Sequence, residues 1–164
     1  MTKITSEITQ KIKHYLEVIE KMVYPDQHER NNTLADMGLI IFEPNSQVNA
    51  LDVQSILPEG KSVLYKMDNF YDYETFVSKL IEANKSNQWL IVDCLDDFSP
   101  TTIGIIKQIG EMNKFTVLNF RNENSFQLKI NPETRIIFCI NSDFLEEKIS
   151  YPYFLNIFGA ILRI

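Results

Sequence analysis

The chain has 164 residues, enough for one domain with a sizeable core, and its 45% hydrophobic and 23% charged residues are ordinary for a globular protein. A net charge of −6 and a pI of about 4.9 exclude a large phosphate-neutralising surface, so nucleic acid is not an expected partner. No run approaches the roughly 20 apolar residues of a membrane-spanning helix, and "MTKITSEITQKIK" lacks the apolar core of a secretory leader. No membrane partner is therefore expected, and the cytoplasm is the expected location.

In chain order, Ile4, Ile8, Ile12, Leu16, Ile19 and Val23 recur at steps of three or four, which predicts an amphipathic helix over 3–23 ended by Pro25. "PDQHERNN" reads as a solvated loop. "MGLIIFEP", between Gly38 and Pro44, is a continuous apolar run that suits a strand covered on both faces. "SVLYKM" reads as a second short strand. Asp72 offers an N-cap to "YETFVSKLIEAN", where Phe76, Val77, Leu80 and Ile81 make a helical stripe. "WLIVDCL" is a buried strand, and Ser99 with Pro100 starts a further helix carrying Ile103, Ile106 and Ile109. A hairpin is predicted near 115–130 from "FTVLNF", "RNENS" and "FQLKI". "TRIIFCIN" and "AILRI" complete the strands. The alternation predicts an α/β fold with a mainly parallel sheet flanked by helices, in a single domain over 1–164 whose core begins at residue 38.

Three features bear on chemistry. First, the strand ending in Asp93 has the setting of a magnesium-holding acid, with Asp96 and Asp97 close behind. The following position is Cys94, and a thiol is a poor general base for water. Second, Asn141 closes "RIIFCIN" at a strand's carboxyl edge, where it either faces a phosphate or caps the next turn. Third, "PEGKS" contains Gly-Lys-Ser, but the strand-like "VLYKM" that follows makes it a turn rather than a phosphate cradle. No G-x-x-x-x-G-K-[ST] is present. Cys94 and Cys139 sit in apolar runs and read as buried free thiols, while His14 and His28 have no metal-ligand spacing. No catalytic residue, metal site or cofactor is assigned. Trp89 reads as core.

The order of "WLIVDCLDD", the helix after it, the hairpin, "NPETRIIFCIN" and "YPYFLNIFGAILRI" resembles the core of an AAA+ P-loop nucleotidase. The version it is most similar to is the AAA+ module of dynein heavy chains, which carries a Trp before the acidic Walker B strand and a hairpin before the sensor strand. The resemblance runs from about Leu39 to Ile164, and "IFEPNSQVNALDVQ" is similar to the segment that follows strand two in that family. It makes Asp93 the Walker B acid and Asn141 the sensor-1 residue. It also implies a degenerate member. The phosphate-binding strand, loop and lysine have no counterpart before strand two, and Asn156, Ile157, Phe158 and Gly159 replace the family's Ser-Arg-x-Gly, so no arginine finger is presented. In AAA+ sheets the phosphate-loop strand is central, so the chain must close that gap, fill it with another segment, or borrow a strand.

The resemblance implies a non-catalytic, AAA+-like scaffold or structural subunit working through protein partners in a larger complex or homo-oligomer, in a cytoskeletal or ciliary setting by analogy. Two alternatives stand. One is a small regulatory module similar to STAS domains, phosphorylated at Ser99 or Thr101 at a helix N-terminus. The other is a nucleotide-binding ATPase fragment completed by another chain. A sensor strand adjacent to the acidic strand, with a projecting hairpin, favours the AAA+ reading over the STAS-like one.

Overall fold

The computed structural model describes residues 5–21, 37–67, 73–94, 114–119, 124–129, 134–142 and 158–164. Helix α1 (Ser6–Lys21) falls inside the amphipathic stretch, with Ile12, Leu16 and Ile19 buried as its spacing requires. Tyr15 is buried beside them, a residue outside the aliphatic stripe. His14 is on the exposed face. Strand β1 (Met37–Phe42) follows, every residue buried, as expected of a strand covered on both faces.

A short helix, α2 (Ala50–Ile56), comes next; the sequence reading missed it. Its signal is Asn49 followed three residues later by Asp52. The Asn49 side chain accepts the Asp52 backbone N–H at 3.0 Å, and the Asp52 carboxylate accepts the Asn49 N–H at 2.9 Å. This reciprocal box starts a helix whose apolar pattern is too short to declare itself. "PEGKS" is the turn predicted, with Gly60 at φ 77° and the Lys61 N–H bonded to the Pro58 carbonyl at 3.0 Å. It leads into β2 (Ser62–Met67).

Helix α3 (Tyr73–Lys85) buries Phe76, Leu80 and Ala83. It ends at Asn87, whose φ of 53° is the left-handed conformation that closes helices, with the Gln88 N–H returning to the Ala83 carbonyl at 2.9 Å. Strand β3 (Trp89–Cys94) and strand β6 (Ile136–Asn141) are the predicted buried strands. The hairpin is present as β4 (Lys114–Asn119) and β5 (Asn124–Lys129), antiparallel and in a sheet of their own. Strand β7 (Ala160–Arg163) comes last.

The main sheet is five-stranded and parallel throughout, in the order β2-β3-β6-β1-β7. The fold is α/β, with a parallel sheet flanked by helices and a separate hairpin. The gap expected from the resemblance is filled by the chain itself, because β1 lies at an interior position between β6 and β7. This corrects the resemblance by one strand: "IFEPNSQVNALDVQ" does not follow a second strand but leaves β1, the first strand of the sheet in chain order among the described residues. The reason is physical: Met37–Phe42 is buried on both faces, which only an interior position provides.

Two cores form, one on each face. Leu39, Tyr65, Phe76, Leu80, Val92, Cys94 and Phe138 pack on the α3 side. Ile12, Leu16, Ile40, Val53, Trp89, Ile91 and Cys139 pack on the side of α1 and α2. Alternation along each strand assigns neighbours to opposite faces. Burial of Trp89, at 2% exposure, agrees with its reading as core.

Two polar contacts fasten α1 to the amino ends of the strands. The Tyr15 hydroxyl accepts the Leu39 N–H at 2.9 Å and donates to the Ala160 carbonyl at 2.8 Å, bridging β1 and β7. Gly38 makes the approach possible, since a Cβ there would collide with the Tyr15 hydroxyl and lie 3.0 Å from Ile19 Cδ1. The buried Arg135 guanidinium donates to the Ile19 carbonyl at 3.1 Å and the Glu20 carbonyl at 3.4 Å, placing a cation on the carbonyl end of α1.

Candidate functional site at the carboxyl edge

The candidate residues are brought to one edge. Asp93 is next to last in β3, in register with Lys66 on β2 and Cys139 on β6. Asn141 ends β6, on the same face as Asp93 and two residues beyond its level, or about 7 Å further along the strand direction. The face they share is the one covered by α1 and α2. The loop 43–49 leaves β1 at this same edge and runs into α2. In open parallel sheets, ligands bind outside the carboxyl ends of the strands, so the placement of Asp93 and Asn141 is that of a binding edge.

The electrostatics are mild. Asp93 is half-buried, and its carboxyl is raised above the usual range, chiefly by burial, with the nearby Lys66 charge opposing the rise. Asn141 is exposed. Cys94 lies on the opposite face, in the α3-side core, where burial pushes its thiol well up, and the Cys139 and Asp93 charges add to the rise. Cys139 is raised in the same way, first by burial and then by Asp93. Both cysteines are free and buried, as the sequence predicted, and neither serves as a base at neutral pH.

The loop 43–49 is held by the protein's own groups. Glu43 pairs with Arg163 of β7 at 3.1 Å, and the Glu43 N–H bonds the Ile164 carbonyl at 2.6 Å. Ser46 N–H returns to the Glu43 carbonyl at 2.9 Å, Val48 is buried, and the Asn49–Asp52 box closes the helix start. Leu51, at 60% exposure, is one of two large exposed apolar residues among those described. The sequence reading took this segment only as resembling the stretch after strand two and assigned it no site. Its signal was positional, a polar segment between a fully buried strand and an Asn-x-x-Asp box.

Several other expectations fall elsewhere. Asp96, Asp97, Ser99, Thr101, Asp72, His28 and the helix with Ile103, Ile106 and Ile109 lie outside the described residues, as do Asn156 and Ile157. Lys61 of "PEGKS" is at the amino end of the sheet, 3.7 Å from Glu20 and with its ammonium 5.9 Å from the Trp89 ring centroid. A cleft of about 170 Å³, lined by Leu16, Ile56, Leu57, Pro58, Lys61 and Trp89, opens at that end and not beside Asp93. Among the described residues, no group of three or more His, Cys, Asp or Glu is placed to hold a metal ion, and no helix is long and apolar enough to cross a membrane.

No protein-family model matches the chain. No curated protein matches it either. Among solved structures, the chain is similar to NtrX from Brucella abortus, crystallised in complex with ATP, with a TM-score of 0.58 and 12% identity. The likeness is one of fold. It covers all of this chain and 36% of that one, so the chain spans about a third of its neighbour's length.

Proposed function

We propose that this chain is a non-catalytic, AAA+-like protein that works as a structural or scaffolding subunit through contacts with other protein chains. One observation carries the non-catalytic part. The segment joining the interior strand β1 to α2, Pro44 to Leu51, has the length and place of a G-x-x-x-x-G-K-[ST] loop and none of its signature residues. Pro44 and Asn49 stand at the two glycine positions, Ala50 at the lysine and Leu51 at the magnesium-binding hydroxyl. Proline removes a backbone donor, alanine supplies no charge, and exposed Leu51 offers no oxygen. The flanking Glu43 and Asp52 carboxylates would oppose a phosphate.

The strand order favours this reading over the STAS-like one. The acidic strand β3 is paired with β6, whose end carries Asn141, and the hairpin stands apart from the main sheet. The dynein-like detail belongs to the same proposal: Trp89 opens the acidic strand, and the hairpin precedes β6 in the chain. Asp93 and Asn141 are then remnants of a magnesium and phosphate edge. The ATPase-fragment alternative would need another chain to supply every phosphate contact that Pro44–Leu51 lacks.

Fluorescent-nucleotide titration with Mg²⁺ tests the idle site. The expected result is no micromolar binding. Micromolar binding that disappears in Asp93→Asn sinks the proposal and revives the ATPase reading. For the partner half of the proposal, the protein isolated from its native cell is expected in a complex with other chains at fixed stoichiometry; recovery solely as a monomer overturns it.

A further inference from the structure

The loop 43–49 is where a nucleotide protein would fold its backbone around phosphate, and here the amides of Glu43, Ser46, Val48 and Asn49 already have acceptors. Glu43 N–H donates to Ile164, Ser46 N–H to Glu43, Val48 N–H to the Ser46 hydroxyl at 3.4 Å, Asn49 N–H to Asp52, and Asp52 N–H to Asn49. Two contacts tie the first part of the loop to the end of β7, and a third ties β1 just before it. The Ile164 N–H bonds the Ile41 carbonyl at 2.9 Å, the Glu43 N–H bonds the Ile164 carbonyl, and the Arg163 guanidinium meets the Glu43 carboxylate. The second part is closed by the box on α2 and anchored by Val48, which is 6% exposed within the α1–α2 core.

We infer that the end of β7 is an internal ligand for this loop: Arg163 and Ile164 clasp Glu43 and keep the segment ordered with no nucleotide present. This deepens the non-catalytic reading and rests on it. A phosphate loop whose donors point at an absent anion gains order on binding. A loop with the Glu43, Ser46, Val48 and Asn49 donors already bonded internally has that order beforehand, so the edge is a fixed surface rather than a switch. The clasp also couples the loop to the edge strand of the sheet, since Arg163 ends β7 and Ile164 directly follows it.

Hydrogen exchange on the full chain, measured without nucleotide and again with Mg²⁺-ATP, tests the clasp. The expected wild-type result is measurable protection at Glu43, Ser46, Val48 and Asn49 without nucleotide. Arg163→Ala should speed exchange at residues 43–48 by about two- to fivefold, the range of a half-exposed ion pair, while amides of β3 and β6 are unmoved. Arg163→Lys should restore most of the protection. Asn49→Ala should speed residues 49–53 by about fivefold, the effect of a lost cap. Free-peptide exchange across the wild-type loop, or no response to Arg163→Ala, overturns the clasp. Added protection by Mg²⁺-ATP instead strikes the non-catalytic reading, and the nucleotide-free comparison still decides the clasp.

Discussion

At the amino ends of the strands, Tyr15 and Arg135 are buried and matched, Tyr15 bridging β1 and β7 and Arg135 holding the last carbonyls of α1. The buried Thr134 hydroxyl beside them has no hydrogen-bond partner among the described residues. At the carboxyl ends, Asp93 is half-buried, Asn141 is exposed, and the loop is fastened by a half-exposed ion pair and a helix cap. Buried, satisfied contacts are costly to break, whereas solvent-facing ones are worth little each. The contrast teaches where the molecule keeps its stability. It is held from the amino end, and the carboxyl edge has the geometry of a binding edge with little of the chemistry.

The comparison is broken most severely at Arg135. Arg135→Ala leaves the Ile19 and Glu20 carbonyls without their cation in a buried setting, and should cost about 3 kcal/mol in chemical denaturation. A loss under about 1 kcal/mol would place the fastening of α1 elsewhere. Gly38→Ala comes next. The added methyl meets the Tyr15 hydroxyl and Ile19, so Tyr15 must give up its bridge, at about 2 kcal/mol. Tyr15→Phe, which loses the bridge without the clash, should cost less than Gly38→Ala; the reverse order would mean that the methyl fits.

Asp93→Asn should have the smallest effect and the opposite sign. Burial raises the folded-state pKa of Asp93, so the folded protein favours the protonated acid. That contribution is fully present below the unfolded carboxyl's pKa and is lost as pH rises through the raised folded value. At neutral pH, Asp93→Asn should therefore be as stable as wild type or more so, by no more than about 1 kcal/mol, with the difference closing in acid. Marked destabilisation at neutral pH would show that the carboxylate is held by a partner and that the edge is not idle.

Much of the fold was legible because a parallel sheet writes itself as continuous apolar runs. "MGLIIF", "WLIVDC" and "RIIFCI" are such runs, and each is a buried strand. The stripe of α1 was equally plain at Ile12, Leu16 and Ile19. Helix α2 was not, because seven residues with Ala50 and Val53 buried hold too few turns to show a period. The place of β1 between β6 and β7 was hidden for a different reason: strand order is a fact of pairing across the chain, and no local pattern carries it. At the site, Asp93 and Asn141 could be named from their strand ends. The loop beside them was noticed only as a segment after a strand, because Pro44–Leu51 carries no glycine, lysine or threonine that would mark it as a binding loop.

Trp89 is the chain's single tryptophan, and it is seated at the amino end, between α1 and α2 and beneath Lys61. Its emission is therefore a local gauge. Lifting α1 from the sheet would wet the indole and move the spectrum, while events at Asp93, four residues and about 13 Å along the strand, would leave it steady. One optical signal thus separates the two ends of the molecule, reporting the amino end and staying silent about the carboxyl edge.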